Sequence, residues 1–296
     1  LLDSGRDEVN IRVEAPATSA NLGPGFDCAG IALELWNELE VSEAESTVVE
    51  VEGEGVSQTP RDADHLGLRA FALIAGLEGK RFHFLNRIPF ARGLGSSSAT
   101  IALGLVAACL WEGVEPDPAE LLPLATRLES HADNLAACLY GGAVLSWEEE
   151  GLWHARRVAD SLPLAPVAVI PEHSVETIVA RAGLPDTVTH ADAAFSGGRA
   201  ALLGAGLASG DADLLAAAFH DRLHEPYRSL AAPILSQLQD KPARGSVGVT
   251  LSGSGPAVVV WAQHEESELC ADELTGRFPD CRVLTLAVAT GGARAF

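Results

Sequence analysis

The run Pro89-Phe90-Ala91-Arg92-Gly93-Leu94-Gly95-Ser96-Ser97-Ser98-Ala99 has the composition of an anion-binding loop. Glycines at 93 and 95 let backbone N–H groups converge where a Cβ would intrude. Arg81–Ile88 alternates like a strand entering the loop. Beyond it, Ala99, Ile101, Leu103, Leu105, Val106, Ala107 and Leu110 are apolar nearly all round, the mark of a buried helix. A helix starting at the serines turns its positive end on the loop, and their hydroxyls add donors or a metal ligand. No Lys follows the glycines, so this is not a Walker A loop. A plain strand-to-helix turn with serine caps has the same composition; the flanking strand and buried helix favour phosphate.

Four further clusters carry polar chemistry. Ala15-Pro16-Ala17-Thr18-Ser19-Ala20-Asn21-Leu22-Gly23-Pro24-Gly25-Phe26-Asp27 follows a strand; Asn21 can donate and accept, and Asp27 can hold a cationic amine. Glu129-Ser130-His131-Ala132-Asp133-Asn134 concentrates an acid, an imidazole and an amide ahead of a Gly141-Gly142 turn. Leu251-Ser252-Gly253-Ser254-Gly255-Pro256 links two strands. Arg199 and Arg228, the latter in Glu225-Pro226-Tyr227-Arg228, stand on otherwise Ala-rich elements. Each taken singly also reads as an ordinary loop, cap or surface arginine.

The elements that must position these groups mix strands and helices in both halves, without the regular alternation of a doubly wound sheet. Strands are expected at Ile11–Ala15, Thr47–Val51, Gly141–Trp147, Pro166–Ile170, Ser246–Leu251, Ala257–Ala262 and Arg282–Val288, with strand-like texture over Cys28–Val41. Helices are expected at His65–Leu77, Pro116–Ser130, Ala191–Leu207, Asp211–His220, Pro233–Gln239 and Ser267–Phe278. The pattern is α+β, with a boundary between Glu150 and Pro166.

Bulk properties narrow the partners. The chain has 296 residues and a formal net charge of −21, which repels nucleic acid and anionic lipid. Any bound phosphate must therefore be held by local donors and a metal. Five dispersed cysteines without CxxC spacing suit a reducing cytoplasm rather than a disulfide framework or zinc site. The longest apolar stretch, Ile101–Trp111, is too short to span a bilayer. Leu1–Asn10 has no apolar core of a signal peptide.

In this order the clusters resemble the GHMP kinase superfamily. P-x-x-x-G-L-G-S-S is met from Pro89 to Ser97. Within that group the resemblance is to the homoserine kinase family: A-P-A-[ST]-S-A-N-x-G-P-G-F-D-x-x-G is met from Ala15 to Gly30, H-x-D-N at His131, Asp133 and Asn134, E-P-Y-R at Glu225–Arg228, and S-G-[AS]-G-P at Ser252–Pro256. A G-A-R echo lies at Gly292-Ala293-Arg294. The resemblance implies two domains, 1–157 and 158–296, the first like ribosomal protein S5 domain 2 and the second ferredoxin-like, with ATP and substrate meeting between them. It implies ATP-dependent phosphorylation of L-homoserine to O-phospho-L-homoserine, with Mg²⁺ on Ser97 and Glu129 and the phosphates cradled by Pro89–Ala99. Asn21, Asp27, His131, Arg199 and Arg228 would hold the substrate, Asp27 its ammonium and the arginines its carboxylate. Asn134 would orient the hydroxyl, with no lysine-activated base. Homodimers are common in the superfamily, so a second copy is a candidate partner.

Two departures stand out. Asp64-His65-Leu66 replaces a segment that often carries an Asn near adenine, and Ala136-Ala137 replaces the usual Ala-Pro. Two other readings stay open: a superfamily kinase for a mevalonate-type or sugar alcohol, and a non-catalytic nucleotide-binding regulator. Asp27 paired with the arginines distinguishes the first, since a mevalonate-type substrate has no ammonium.

Overall fold

The computed structural model describes residues 10–129, 131–174, 182–229 and 231–296. Its first sheet is organised around β2 (Ala29–Glu43), long enough to be shared. Along one edge β2 pairs antiparallel with β1 (Asn10–Ala20), from Asn10↔Ser42 to Ala20↔Gly30, and the register slips between Pro16 and Ala17. Pro16 has no N–H to give the ladder, so an irregularity costs least there. Along the other edge Glu38–Glu43 pairs with β4 (Lys80–Asn86), and Ala29–Ile31 pairs with β5 (Ala143–Glu149). β3 (Val48–Gly53) lies parallel to β4, and β6 (Leu152–Ala159) extends β5. The expected boundary at 157/158 falls inside β6.

One face of this sheet is covered by α1 (Leu66–Phe71), α2 (Ser96–Trp111), α3 (Pro118–Ala125) and α4 (Ala132–Tyr140). The nearly unbroken apolar surface of α2 is buried as expected. Its Gly104 meets α1 so closely that a Cβ would lie 2.2 Å from the Gly67 carbonyl. Two helices are shorter than their sequence pattern. After Phe71 the chain tightens into i→i+3 bonds at Leu73 and Ile74. Beyond Ala125 the Thr126 hydroxyl donates to the Pro123 carbonyl instead of the helix continuing.

The second sheet follows the order β7 (Leu164–Pro171), α5 (His190–Ser209), α6 (Ala212–Ala218), α7 (Glu225–Arg228), α8 (Pro233–Asp240), β8 (Ser246–Leu251), β9 (Val258–Gln263), α9 (Ser267–Arg277) and β10 (Cys281–Thr285). Its spatial order is β10-β7-β9-β8, all antiparallel, the split arrangement of a ferredoxin-like unit. Alternation along β9 divides two cores. Val258, Val260 and Ala262 pack with Leu235, Leu238 and Leu274 of the helices, whereas Val259 and Trp261 join the main core. Trp261 stacks on Phe219 at 5.2 Å and donates to the Thr250 hydroxyl at 3.0 Å.

β11 (Arg294–Ala295) then returns to pair with β1, where Arg294 meets Glu14 at 2.7 Å. The Gly292-Ala293-Arg294 echo therefore closes a sheet edge. All five cysteines are free. Among the described residues no helix is long and apolar enough to cross a membrane.

Candidate active site

A cavity of about 760 Å³ opens where the loops of both sheets meet. Its walls come from segments far apart in sequence, stitched by specific bonds. Thr18 N–H donates to Leu94 O (3.1 Å) and Gly253 N–H to Ala20 O (3.2 Å). The Asn21 amide donates to Gly253 O at 2.9 Å and accepts from Asp27 N–H at 3.0 Å. Ser252 Oγ donates to Gly93 O at 2.7 Å and lies 2.9 Å from Ser19 Oγ. Asn21, Leu22, Asp27 and Ala91 all carry positive φ here, a backbone cost that the surrounding bonds hold in place.

The phosphate-loop expectation has a concrete geometry. Gly93 (φ 83°) and Gly95 (φ 69°) are left-handed, and a Cβ would sit 2.2 Å from Ser252 O or 1.9 Å from Thr18 Oγ1. Glycine is therefore required twice over at each position. Gly95 caps α2 without a side-chain bond, so the first-turn N–H groups of Ser96, Ser97 and Ser98 have no intrahelical partner. These three residues line the cavity, where the helix dipole favours an anion. Phe90, Ala91 and Arg92 also line it; Pro89, Leu94 and Ala99 are buried beneath as packing. Arg92 is committed to carbonyls, donating to Pro171 O at 3.0 Å, Phe90 O at 2.8 Å and Glu172 O.

Glu129 stands beside this loop. Ser98, not Ser97, donates to its Oε2, at 2.9 Å, while the Ser97 side chain is exposed at the cavity. Removal from water pushes the Glu129 carboxyl above its ordinary value, and the Ser98 bond only partly offsets this. A carboxylate so placed gains from a cation. Among the described residues no three His, Cys, Asp or Glu side chains gather to hold a metal alone. Glu129 with a serine hydroxyl fits an ion that takes its remaining ligands from phosphate and water, as Mg²⁺ does.

Asn21, Asp27, His131, Asp133, Asn134 and Arg228 also line this cavity. His131 occupies the N-cap position of α4 without a side-chain bond to the helix, and Asp133 accepts from Asn134 N–H at 2.7 Å, so the helix start orients the Asp133 carboxylate. Arg228 is buried, with Nη1 3.2 Å from Gly253 O and 3.2 Å from His224 Nδ1, and its guanidinium 5.3 Å over the Phe26 ring. His224 Nε2 donates to Gly23 O at 2.7 Å, which leaves Nδ1 as the acceptor for the arginine. Burial lowers the His224 pKa to about 4, so the ring is neutral and does not repel Arg228.

Arg199 is not brought to this cavity. Its guanidinium donates to Ala217 O and lies 5.0 Å from the Phe195 ring. α5 turns it towards α6, so the paired-arginine clamp expected for a carboxylate reduces to Arg228. His65 is likewise withdrawn: it is buried, caps α1 by accepting from Gly67 N–H at 3.1 Å, and packs on Phe84 at 4.1 Å. Glu54, Gly55, Gln58 and Phe90 line the cavity, and His65 does not. Sequence reasoning also missed His224 and Asp221. Asp221 accepts from the N–H groups of Leu223, His224 and Glu225 and from Ser196 Oγ, so it builds the platform carrying Arg228. The adjacency of His224 to E-P-Y-R was the one available signal. Ser130 lies outside the described residues.

Residues 64–142 match the family model described as GHMP kinases N terminal domain. A homoserine kinase of Streptomyces coelicolor is 44% identical over 87% of this chain and 86% of its own length. The chain belongs to the homoserine kinase family. Its relative from Streptomyces avermitilis, also a homoserine kinase, is 42% identical over 88% of each chain. The crystal structure of homoserine kinase from Cytophaga hutchinsonii superposes with a TM-score of 0.85 at 27% identity, covering 100% of this chain and 99% of that one. The two-sheet α+β architecture is thus that of the homoserine kinases.

One consequence for this family member concerns Glu225, whose Oε1 accepts from Leu251 N–H at 2.7 Å. Burial raises its carboxyl to about 8, so the folded protein keeps a proton that the unfolded chain releases near its ordinary value of 4.5. Its contribution is fully present at low pH and is lost as pH rises through about 8. His224, with its lowered pKa, slopes the opposite way only below about 6.5. Between pH 6.5 and 8 the Glu225 contribution to stability, read by urea unfolding, should therefore fall by about 2 kcal/mol, at ~1.4 kcal/mol per pH unit. Glu225→Gln should flatten that slope; an unchanged slope would contradict the assignment.

Proposed function

We propose that this protein catalyses L-homoserine + ATP → O-phospho-L-homoserine + ADP, a step of threonine biosynthesis, in the cytoplasm. One observation carries the reading. A single cavity is lined by the uncapped helix start near Glu129 and by an acid and an arginine, Asp27 and Arg228, the two charges that an amino-acid zwitterion calls for. Phosphoryl transfer requires alignment and charge neutralisation more than covalent help, and these walls supply both.

In this reading the N–H groups of Ser96–Ser98 hold the phosphates, and Glu54, Gly55, Gln58 and the exposed ring of Phe90 receive the base. Ser97 and Glu129 would hold Mg²⁺, with Ser98 orienting the Glu129 carboxylate, and the ion would supply neutralisation of phosphate charge. Asp27 pairs with the substrate ammonium and Arg228 with its carboxylate, flanked by Asn21 and His131. The substrate hydroxyl then faces Asn134. No lysine lines the cavity among the described residues: Lys80 lies over the Trp111 ring at 4.7 Å, away from it. The hydroxyl oxygen bonds to the γ-phosphorus, the bond to the bridging oxygen breaks, ADP leaves with that electron pair, and the hydroxyl proton passes to a phosphoryl oxygen. The two domains, 1–157 and 158–296, and a homodimer belong to the same proposal.

Coupled ADP release with L-homoserine, L-serine, mevalonate and galactose side by side tests the substrate. Turnover should be greatest by far with homoserine. Turnover on mevalonate or galactose without any on homoserine would overturn the reading, and no turnover on any of them would favour a regulator.

A further inference from the structure

The transfer step depends on which end of the Asn134 amide meets the reacting oxygen, and the fold decides this through a residue that does not line the cavity. Thr18, at the end of β1, is fully buried. A buried hydroxyl must spend its proton on an acceptor, and here the Thr18 Oγ1–H donates to Asn134 Oδ1 at 2.7 Å. That bond occupies the carbonyl end of the amide. The Nδ2 end lies towards Gly253, 3.9 Å from where a Cβ on that glycine would be, and Gly253 and Asn134 both line the cavity. The main chain of Thr18 is tied at the same time to the phosphate loop, through its N–H to Leu94 O at 3.1 Å. The absent Cβ of Gly95 leaves the room its hydroxyl occupies. One residue therefore sets the phosphate loop and the substrate amide relative to each other.

We propose that Thr18 is a positioning residue for phosphoryl transfer, holding the Asn134 amide with its NH₂ group, and not its carbonyl, presented to the substrate hydroxyl. This rests on the proposed homoserine kinase reaction and deepens it. An amide that only donates cannot accept the hydroxyl proton; it steadies the oxygen and leaves the proton to the phosphoryl group. Without the Thr18 bond the amide rotates between its two ends, and the fraction of correctly posed complexes falls. Binding of either substrate rests on other contacts and is little affected.

The test is a cycle of variants at Thr18 and Asn134, assayed by steady-state kinetics with homoserine and MgATP. The parent enzyme comes first: absence of homoserine turnover there would overturn the reaction itself, independently of Thr18. Given that turnover, Thr18→Val, matched in size but lacking the hydroxyl, should lower kcat ~10–100-fold with both KM values within ~3-fold. Thr18→Ser should recover most of the loss. In an Asn134→Ala background Thr18→Val should cost nothing further, because Thr18 acts through the amide. If the valine variant does not fold, Thr18→Cys, similar in size and a poor donor, takes its place in the cycle. A parental kcat in the valine (or cysteine) variant would overturn the proposal. So would an equal loss in the Asn134→Ala background, or a serine variant that melts like the parent yet is as slow as the valine.

Discussion

Glu129→Gln is expected to remove Mg²⁺-dependent turnover, lowering kcat ~10³-fold or more, while the protein stays folded. The two halves of that expectation have one origin. Glu129 is drawn out of water beside α2, and this raises its carboxyl pKa. Its ionised form is thus a cost that folding bears and that a bound cation would offset. Its stabilising contribution is present below the ordinary carboxyl value and diminishes as pH rises through the raised one. A glutamine keeps the bond from the Ser98 hydroxyl and carries no charge to desolvate, so the melting temperature at pH 7 should hold or rise. Catalysis loses the anionic oxygen that pairs with the metal next to the uncapped start of α2. Kinetics across a Mg²⁺ titration, with a thermal melt alongside, checks both halves. Parental kcat in the glutamine variant would remove Glu129 from the metal site.

Arg228→Ala should raise KM for homoserine by about 100-fold, on the order of 3 kcal/mol, with a smaller change in kcat and little in KM for ATP. Arg228 is buried and directed by a neutral His224, by Gly253 O and by the Phe26 ring, so its guanidinium is pre-set rather than recruited. Asp27 is positioned by the Asn21 amide, which in turn is held by the same Gly253 carbonyl. Both ends of the proposed zwitterion site thus lean on one backbone group. Arg199→Ala, by contrast, should leave KM for homoserine near parental, since that side chain is spent on Ala217 O. An unchanged KM in Arg228→Ala would contradict the carboxylate role.

The residues readable from sequence are those whose type alone restricts geometry. Gly93 and Gly95 announce a left-handed turn against which nothing larger fits, and the apolar surface after them announces a buried helix. Motif order supplies Asp27, Asn134 and Arg228. Arg199 resists such reading because its direction depends on how α5 rotates against α6, which no local pattern encodes. The choice between Ser97 and Ser98 as partner of Glu129 depends on helical phase at the first turn, where adjacent serines point apart by about 100°. Thr18 and His224 act through other side chains, and a hydrogen bond spanning 116 positions leaves no spacing to detect. β11 is legible only as an echo, since a two-residue strand gains its identity from the β1 edge it joins.

In the proposed reaction the γ-phosphoryl group of ATP ends on the side-chain oxygen of homoserine. ³¹P NMR of the enzyme incubated with MgATP and L-homoserine reads this directly. A new phosphomonoester resonance, coupled to the two protons of the adjacent CH₂ and growing in step with ADP, is the predicted result. ADP accompanied only by inorganic phosphate, or a spectrum in which ATP is unchanged, would contradict the account.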